Sequence, residues 1–385
     1  MIQSVWPYLA VMLLAAGIFP ALERRTGWKF FSIFPPIVLV YLSITALAVL
    51  GLWQVTPDIQ DTQGLLIRTL VPALIFLLMV NCDLRAILAL GPRVLAVFAC
   101  TTVSLFVAFM LTFLAFRGAL PAPDGWQPLA ALSGSWVGGT ANLVAVKQAI
   151  GMDDNQLALA LLTDAIGYSV WVALLFSVAR LAPAFNRWTG ARSSADLAVA
   201  PVRNTAPVTG DAVLLWLAMA LVATLGARWL AGFLPTGGLV SATTWTILLT
   251  TAAGLVVAHT PLARFPGASP ISGTLLIFVV AVMASQSNFS GIATAPLYLL
   301  CGFSILAIHC AVMLLAAKLF RFDMYLCGIS SLAHIGGVAA APILAATYSA
   351  ALVPVAVLLA LLGYILGTGF GLLMATVFSS LAPAF

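Results

Sequence analysis

Charged residues are scarce in this chain, making up 7% of its 385 residues against 63% for hydrophobic residues. Soluble domains average about 25% charged residues, so the composition excludes that class. Apolar runs of about 20 residues, each long enough to cross a hydrocarbon core, recur along the chain. We therefore expect an all-α polytopic protein of an inner or plasma membrane.

Several chemical signatures are also absent. The sequence has no HExxH, no P-loop and no GxSxG accompanied by a His/Asp pair, so we expect neither an enzyme nor an ATP-driven pump. The five cysteines form no CxxC pair, so neither a disulfide framework nor a zinc site is indicated, and we expect no cofactor. The 16 basic residues are scattered in inter-helix loops as topology signals, which gives no reason to expect nucleic acid as a partner.

Twelve apolar segments are present, six on each side of a polar stretch that is rich in Pro, Arg and Ser, the composition of a linker. The segments span residues 4–21, 36–54, 65–81, 93–116, 129–150, 156–180, 212–234, 238–258, 271–286, 295–317, 324–348 and 350–378. We predict a first repeat over residues 1–180, a cytoplasmic linker over 181–211 and a second repeat over 212–385.

Three matches in the same order relate the two halves. The stretch "SGSWVGGTAN" at 133–142 aligns with "SLAHIGGVAA" at 331–340, and similar apolar runs precede both. An Ile/Leu-Gly-Tyr triplet follows each, at 166–168 and 362–364. Together they argue for an internal duplication, which is the signature of secondary transporters.

The positions of the basic loops predict that this repeat is inverted. If segment 129–150 enters and leaves on one side, most basic residues fall in the cytoplasm and the N-terminus lies outside. Each half then makes five crossings, an odd number, so the halves have opposite orientations. The chief alternative is a pair of broken helices that cross fully, as in sodium/proton antiporter-like folds.

A Gly-Gly pair near the middle of each matched segment predicts the tip of a re-entrant hairpin. Glycine tolerates the turn, and Thr140 and Asn142 can cap the second arm. At the tip, the positive end of a helix dipole points to the protein interior, where it could bind a carboxylate. Alternatively, the glycines could serve close helix packing. The predicted substrate-binding residues are Ser133, Ser135, Gly138, Gly139, Thr140, Asn142, Lys147, Ser331, His334, Gly336 and Gly337.

A carboxylate inside an apolar helix predicts the coupling site. Inserting the Asp164 side chain at the centre of a membrane helix costs about 2.5–3.5 kcal/mol, so it should be paired, protonated or bound to an ion. With Thr163 and Tyr168 it forms a candidate Na⁺ or H⁺ site; a salt bridge between Asp164 and Lys147 is the alternative.

Three other polar positions allow two interpretations each. Lys147 could contact an anionic substrate or extend to the surface beside Asp153 and Asp154. His334 could protonate during transport or serve as a neutral packing residue. We interpret Ser285, at the end of the third segment of the second half, as part of a solvated helix end.

The motifs "GSWVGGTANLVAVKQA" and "SLAHIGGVAAAPI" make the whole chain resemble the YjcL-like family of bacterial integral membrane proteins. Its plan of inverted halves with Gly-Gly segments is similar to that of sodium/glutamate and sodium/citrate symporters. The resemblance implies a cation-coupled symporter of the bacterial inner membrane with an elevator mechanism and coupling ions near the tips. The second hairpin departs from the first, since Ala340 stands in the place of Asn142.

We therefore predict a secondary active transporter, a Na⁺- or H⁺-coupled symporter of a small organic anion or an amino-acid-like substrate. The alternatives are a cation/proton antiporter and, with less support, an intramembrane enzyme. The expected partners are the lipid bilayer and a small-molecule substrate, and a homodimer is left open.

Overall fold

The computed structural model describes residues 1–28, 30–33, 36–82, 84–178, 181–191, 208–236, 241–286, 292–349 and 352–382. These residues form helices and no β-sheet, which confirms the all-α class. The helices are α1 Val5–Thr26, α2 Phe30–Ile33, α3 Pro36–Val49, α4 Pro57–Met79, α5 Leu84–Leu88, α6 Pro92–Phe116, α7 Gln127–Gly138, α8 Thr140–Ile150, α9 Asp154–Val178, α10 Ala182–Thr189, α11 Gly210–Ala231, α12 Ala242–Ala258, α13 Ala268–Ala284, α14 Ala295–Phe320, α15 Met324–Ile335, α16 Gly337–Tyr348 and α17 Val353–Leu381.

Seven of these helices are long and apolar enough to span a bilayer: α1, α4, α6, α9, α11, α14 and α17. Shorter apolar helices are α3, α12, α13 and α15. The chain is therefore a multi-pass membrane protein. Each of the twelve predicted segments corresponds to helix, and two of them are broken, at α7/α8 and α15/α16.

Local sequence determines where several helices begin. Thr56 accepts the Ile59 N–H at 3.4 Å, and a proline follows it at the first helical position of α4. Ser241 and Thr244 form a capping box at α12. The Asp323 carboxylate accepts the Leu326 N–H at 2.7 Å and so caps α15.

The chain divides into two compact units. Unit 1 contains Met1–Asn81, Lys147–Ile166 and Thr205–Pro296, and unit 2 contains Cys82–Val146, Gly167–Asn204 and Leu297–Phe385. Each unit takes helices from both predicted repeats, so the repeat boundaries remain a prediction. Of the predicted linker 181–211, the first part forms helix α10 and residues 192–207 lie outside the described residues.

A buried polar cluster fixes three helix directions in unit 1. Tyr8 and Gln63, near the starts of α1 and α4, both bond to Ser285 just after α13, at 2.6 and 3.0 Å. Helices α1 and α4 therefore run in the same direction, and α13 runs opposite to them. Ser285 is 2% exposed, so its interpretation as a solvated helix end is wrong. Its partners Tyr8 and Gln63 are far away in sequence, and no local pattern revealed them.

The other helices of unit 1 follow from similar contacts. Trp216, early in α11, donates to the Pro266 carbonyl just before α13 at 3.1 Å, so α11 and α13 are parallel. Thr45, late in α3, donates to the carbonyl of Ala284 at the end of α13, so α3 is also parallel to α13. Gly254, late in α12, packs on Phe76 near the end of α4, which makes α12 parallel to α4.

Helix α6 fixes the directions in unit 2. Arg93 at its start donates to the Arg321 carbonyl just before α15, and Thr102 further along bonds to His334 near the end of α15. Helix α6 is therefore parallel to α15. Helix α7 folds back along α6: Trp126, just before α7, lines one small cavity with Arg117, just after α6, and Trp136 near the end of α7 packs on Phe109, further back along α6, with ring centroids 5.7 Å apart. Helices α7 and α15 consequently enter unit 2 from opposite ends.

Candidate functional site

The first glycine pair forms the tip of a helical hairpin. Helix α7 ends at Gly138, Gly139 has a φ of 80°, and α8 begins at Thr140. A Cβ placed on Gly134 would lie 3.0 Å from the Val146 Cγ2, whereas these residues would be about 18 Å apart along a continuous helix. The predicted break at Gly138 and Gly139 is therefore confirmed, and the chain folds back there.

The second glycine pair has the same form. Helix α15 ends at Ile335, and Gly337, with a φ of 58°, begins α16. The rings of Tyr325 and Tyr348, at the open ends of the two arms, stack with their centroids 4.6 Å apart. Residues at the two ends of the segment can meet only if it forms a hairpin.

The two tips meet at Tyr364 of α17. A Cβ on Gly139 would lie 3.1 Å from the Tyr364 ring, and one on Gly337 would lie 3.2 Å from its hydroxyl. Tyr168 of α9 takes the related position at Gly336, where a Cβ would lie 2.9 Å from its ring. The Gly-Tyr dipeptides used to align the halves thus place one tyrosine at each tip region. Tyr364 was not among the predicted site residues, although that repeat contained the signal for it.

A row of glycines on α17 lets the first hairpin approach closely. Gly363, Gly367 and Gly371 lie at four-residue intervals and so line one helix face. A Cβ on Gly367 would lie 2.6 Å from the Cα of Gly138, and one on Gly371 would lie 3.2 Å from the Cα of Gly134. Gly138 therefore allows close helix packing and Gly139 forms the turn, and the substrate contact expected of both stays a prediction.

Asn142 holds the first tip instead of capping α8. Its side-chain amide donates to the Gly138 carbonyl, and its Oδ1 accepts from the Thr368 hydroxyl at 2.5 Å. Asn142 is 1% exposed. Thr140, the other expected cap, is half-buried. Thr368 lies one turn beyond Tyr364, so α17 contacts the tip through both side chains.

The serines before the first tip lie inside the helix packing. Ser133 and Ser135 are buried, and the Ser133 hydroxyl donates to the Ala130 carbonyl at 2.7 Å. The Ser135 carbonyl accepts the Gly139 N–H at 2.5 Å, which closes the last turn of α7. Their predicted contact with substrate stays a prediction.

Ser331, on α15, belongs to a hydrogen-bond chain through His309. The Ser104 hydroxyl donates to the Thr101 carbonyl at 2.7 Å, so it accepts from the Nδ1–H of His309. Ser331 accepts from the Trp171 Nε1–H at 2.9 Å and donates to the Nε2 of His309 at 2.8 Å. This pattern satisfies a neutral imidazole at both nitrogens.

His334 is also fully buried and bonded at both ring nitrogens. Its Nδ1 lies 2.8 Å from the Ser330 carbonyl oxygen, and its Nε2 lies 2.8 Å from the Thr102 hydroxyl. The ring packs against Phe98 with centroids 4.1 Å apart. These contacts favour the packing interpretation; the substrate role of His334 stays a prediction.

The proposed coupling residues all lie on α9. Asp164 and Tyr168 are half-buried and one turn apart, so they share a helix face, while Thr163 is buried and points about 100° away. Thr163 and Asp164 belong to unit 1 and Tyr168 to unit 2. Within the described ranges, no three His, Cys, Asp or Glu side chains are grouped as metal ligands. A sodium site built on one carboxylate needs no such group, because hydroxyl and carbonyl oxygens also bind this ion.

Lys147 forms an ion pair with Asp154. Its Nζ lies 2.7 Å from the carboxylate oxygen of Asp154, and both side chains are largely shielded from solvent. The partner is Asp154, as in the surface alternative, and not Asp164, but Lys147 is 5% exposed and therefore does not extend to the surface.

The bond between Asn142 and Thr368 should show measurable energetic coupling. In a double-mutant cycle of Asn142→Ala and Thr368→Ala, we expect a coupling of about 1 kcal/mol in the free energy of unfolding. Unfolding in mixed micelles measures it. Thr376→Ala on the exposed face of the same helix is the control and should show no coupling to Asn142. Additive single-site effects for Asn142 and Thr368 would contradict the assigned bond.

The comparisons with known proteins point to one family. The chain matches the family described as "Protein of unknown function (DUF819)" over residues 9–381, nearly its full length. A search of curated proteins returned no match. The resemblance to the YjcL-like family and to symporters therefore stays a prediction. With a match of this extent, the chain, a membrane-embedded helical protein, belongs to DUF819, a family of unknown function.

Proposed function

We propose that this protein is a secondary active transporter, a Na⁺- or H⁺-coupled symporter of a small organic anion or an amino-acid-like substrate. The main support for this proposal is that two glycine-tipped hairpins enter unit 2 from opposite ends and that their tips meet at Tyr364. Broken helices at membrane depth are tolerated only where they are covered by protein or line a cavity. In transporters, such breaks mark the binding site.

Helix directions support the inverted repeat. In unit 1, α1, α3 and α4 of the first half run opposite to their counterparts α11, α12 and α13. In unit 2, the two hairpins also run in opposite directions. This pattern is expected of an inverted duplication and would not arise from a parallel one.

The division into units supports an elevator mechanism. Unit 2 contains both glycine tips, the second hairpin, the first hairpin as far as Val146, and α17, so the two tips and Tyr364 lie in one compact body, whereas Lys147 and Asp164 belong to unit 1. Unit 1 contains the first three apolar segments of each half. We infer that unit 2 carries the cargo and that unit 1 is the scaffold, as in a rigid-body alternating-access cycle.

The tips favour an anionic cargo. Helices α8 and α16 begin at the two tips, and Gly336 supplies no side-chain cap to α16. The first N–H groups of these helices and their positive dipole ends are suited to a carboxylate. Coupling is assigned to Asp164, a carboxylate within an apolar helix that spans the membrane. A cation/proton antiporter would use Asp164 without needing the tips, so the tips favour symport.

The topology gives a separate prediction. On a background lacking the five cysteines, single cysteines in the linker 181–211 should be labelled only from the cytoplasm, and a cysteine at Ser4 only from outside. Membrane-impermeant maleimide on oriented vesicles measures this. Labelling of the linker from outside alone would contradict the inverted arrangement.

Uptake into proteoliposomes tests the proposed function. Vesicles containing the purified protein are given a mixture of small carboxylates and amino acids under an imposed Na⁺ gradient, an H⁺ gradient or neither. We expect one gradient to drive uptake of a subset of the mixture, identified by mass spectrometry. No gradient-dependent uptake of any organic anion, with Na⁺/H⁺ exchange in its place, would favour the antiporter.

A further inference from the structure

Four exposed basic side chains gather at one end of unit 2. They are Arg93 at the start of α6, Arg187 on α10, and Lys318 and Arg321 around the turn between α14 and α15; we call them the basic patch. We propose that the basic patch binds the phosphodiester headgroup of an anionic phospholipid. This inference does not depend on transport.

Backbone contacts hold the patch together. The Arg93 guanidinium donates to the Arg321 carbonyl at 3.2 Å, and Arg321 has a φ of 55°. A positive φ is uncommon for a residue other than glycine, so the fold imposes this turn. The Lys318 ammonium donates to the Trp188 carbonyl and lies 5.4 Å from the centroid of the Trp188 ring.

Helix α10 is fastened to the same turn. The side-chain oxygen of Asn186 accepts the N–H of Met324, the first residue of α15, at 3.0 Å. Three separate parts of the chain thus bring their basic groups to the open end of the second hairpin. Topology signals need only lie on the correct side of the membrane, and they do not need this convergence.

The patch has a surplus of positive charge. Within the part of the chain that the structure describes, Arg187, Lys318 and Arg321 form no ion pair with a carboxylate. Asp323, the acidic residue of the turn, is fully buried and caps α15. An ammonium has three donors and a guanidinium five, so these groups retain donors for an anion.

The position of the patch favours a lipid as the source of the phosphate. The spanning helix α14 ends at Phe320, so the patch lies where the headgroups of a bilayer begin. Leu315, Leu319 and Phe320 are 68%, 69% and 56% exposed and offer apolar surface for acyl chains beside the charges. Trp188 is 48% exposed, and tryptophan is typical of the membrane interface. A free phosphate would use the charges but not this apolar surface.

Lipid binding in nanodiscs tests the proposal. The protein is placed in phosphatidylcholine nanodiscs with increasing phosphatidylglycerol, and retained phosphatidylglycerol is counted by native mass spectrometry after gentle release. We expect saturable binding that is at least about tenfold weaker in Arg187→Gln/Lys318→Gln/Arg321→Gln. The matched control, Arg24→Gln/Arg25→Gln/Arg264→Gln, removes three exposed basic residues from unit 1 and should bind as the unmodified protein does.

Three results would overturn the proposal: equal losses in the patch and control variants, no preference for phosphatidylglycerol over phosphatidylcholine, or full competition by millimolar inorganic phosphate. The last would identify a soluble phosphate as the ligand. If the triple variant does not fold, the unmodified protein is measured in 0.5 M salt. Binding should fall there because salt screens exposed charges, and unchanged binding would contradict the proposal.

Discussion

Replacing Asp164 with asparagine should abolish gradient-driven accumulation of the cargo. With 1:1 coupling and the membrane potential clamped at zero, a tenfold gradient of the coupled ion sustains at most about a tenfold accumulation, because each factor of ten corresponds to about 1.4 kcal/mol. An uncharged amide cannot exchange a proton, and it neutralises no cation in a region of low dielectric constant. We therefore expect accumulation to fall from about tenfold to onefold, with equal concentrations inside and outside the vesicles.

The control for this variant is Asp153→Asn, which removes an exposed carboxylate one residue before α9 begins. It should leave accumulation unchanged. Cargo binding separates coupling from folding, since the Asp164 variant should still bind cargo but without dependence on the ion. Normal accumulation by Asp164→Asn would assign this carboxylate a structural role and make His334 the leading candidate.

Gly139→Leu should remove cargo binding. A Cβ at this position would already lie 3.1 Å from the Tyr364 ring, so the rest of a leucine side chain would enter the space between the tips. Since displacements of about 1 Å in a site can reduce function about 100-fold, we expect a loss of affinity of at least that size. Equilibrium binding of the cargo in detergent, with and without the coupling ion, measures it.

Gly151→Leu is the matched control, because Gly151 also has a positive φ, 67°, but no neighbour within 4 Å of an added Cβ. Both variants carry backbone strain, of about 1–2 kcal/mol, and only Gly139→Leu fills the tip. The Gly151 variant should retain cargo binding. Equal losses in the two variants would show that strain, not occlusion, is responsible, and would remove the support for a site at the tips.

The periodic features of the fold were predictable from sequence. Apolar runs predicted the helices, and the glycine pairs predicted the two helix breaks, because helix length and glycine conformation are local properties. The repeat at 166–168 and 362–364 placed Gly-Tyr pairs at equivalent points, and both tyrosines lie near a tip. Such features can be read from sequence because the backbone conformation that they require does not depend on residues far away in the chain.

Pairings between distant segments were not predictable in the same way. Asn142 could have capped α8, yet it bonds to Thr368, a residue more than two hundred positions away. For Lys147 the sequence offered Asp153, Asp154 and Asp164 as acidic neighbours, and in the structure it pairs with Asp154. One signal was available and missed: the four-residue spacing of Gly363, Gly367 and Gly371 indicates a face for close helix packing.

The most direct test of secondary active transport is whether the protein raises the cargo concentration inside vesicles above that outside. Proteoliposomes are loaded so that the coupling-ion gradient can be imposed inward, imposed outward or dissipated by an ionophore. Secondary active transport predicts accumulation with the inward gradient, export of preloaded cargo with the outward gradient and equal concentrations after the ionophore. Entry that stops at equal concentrations under every gradient would contradict secondary active transport.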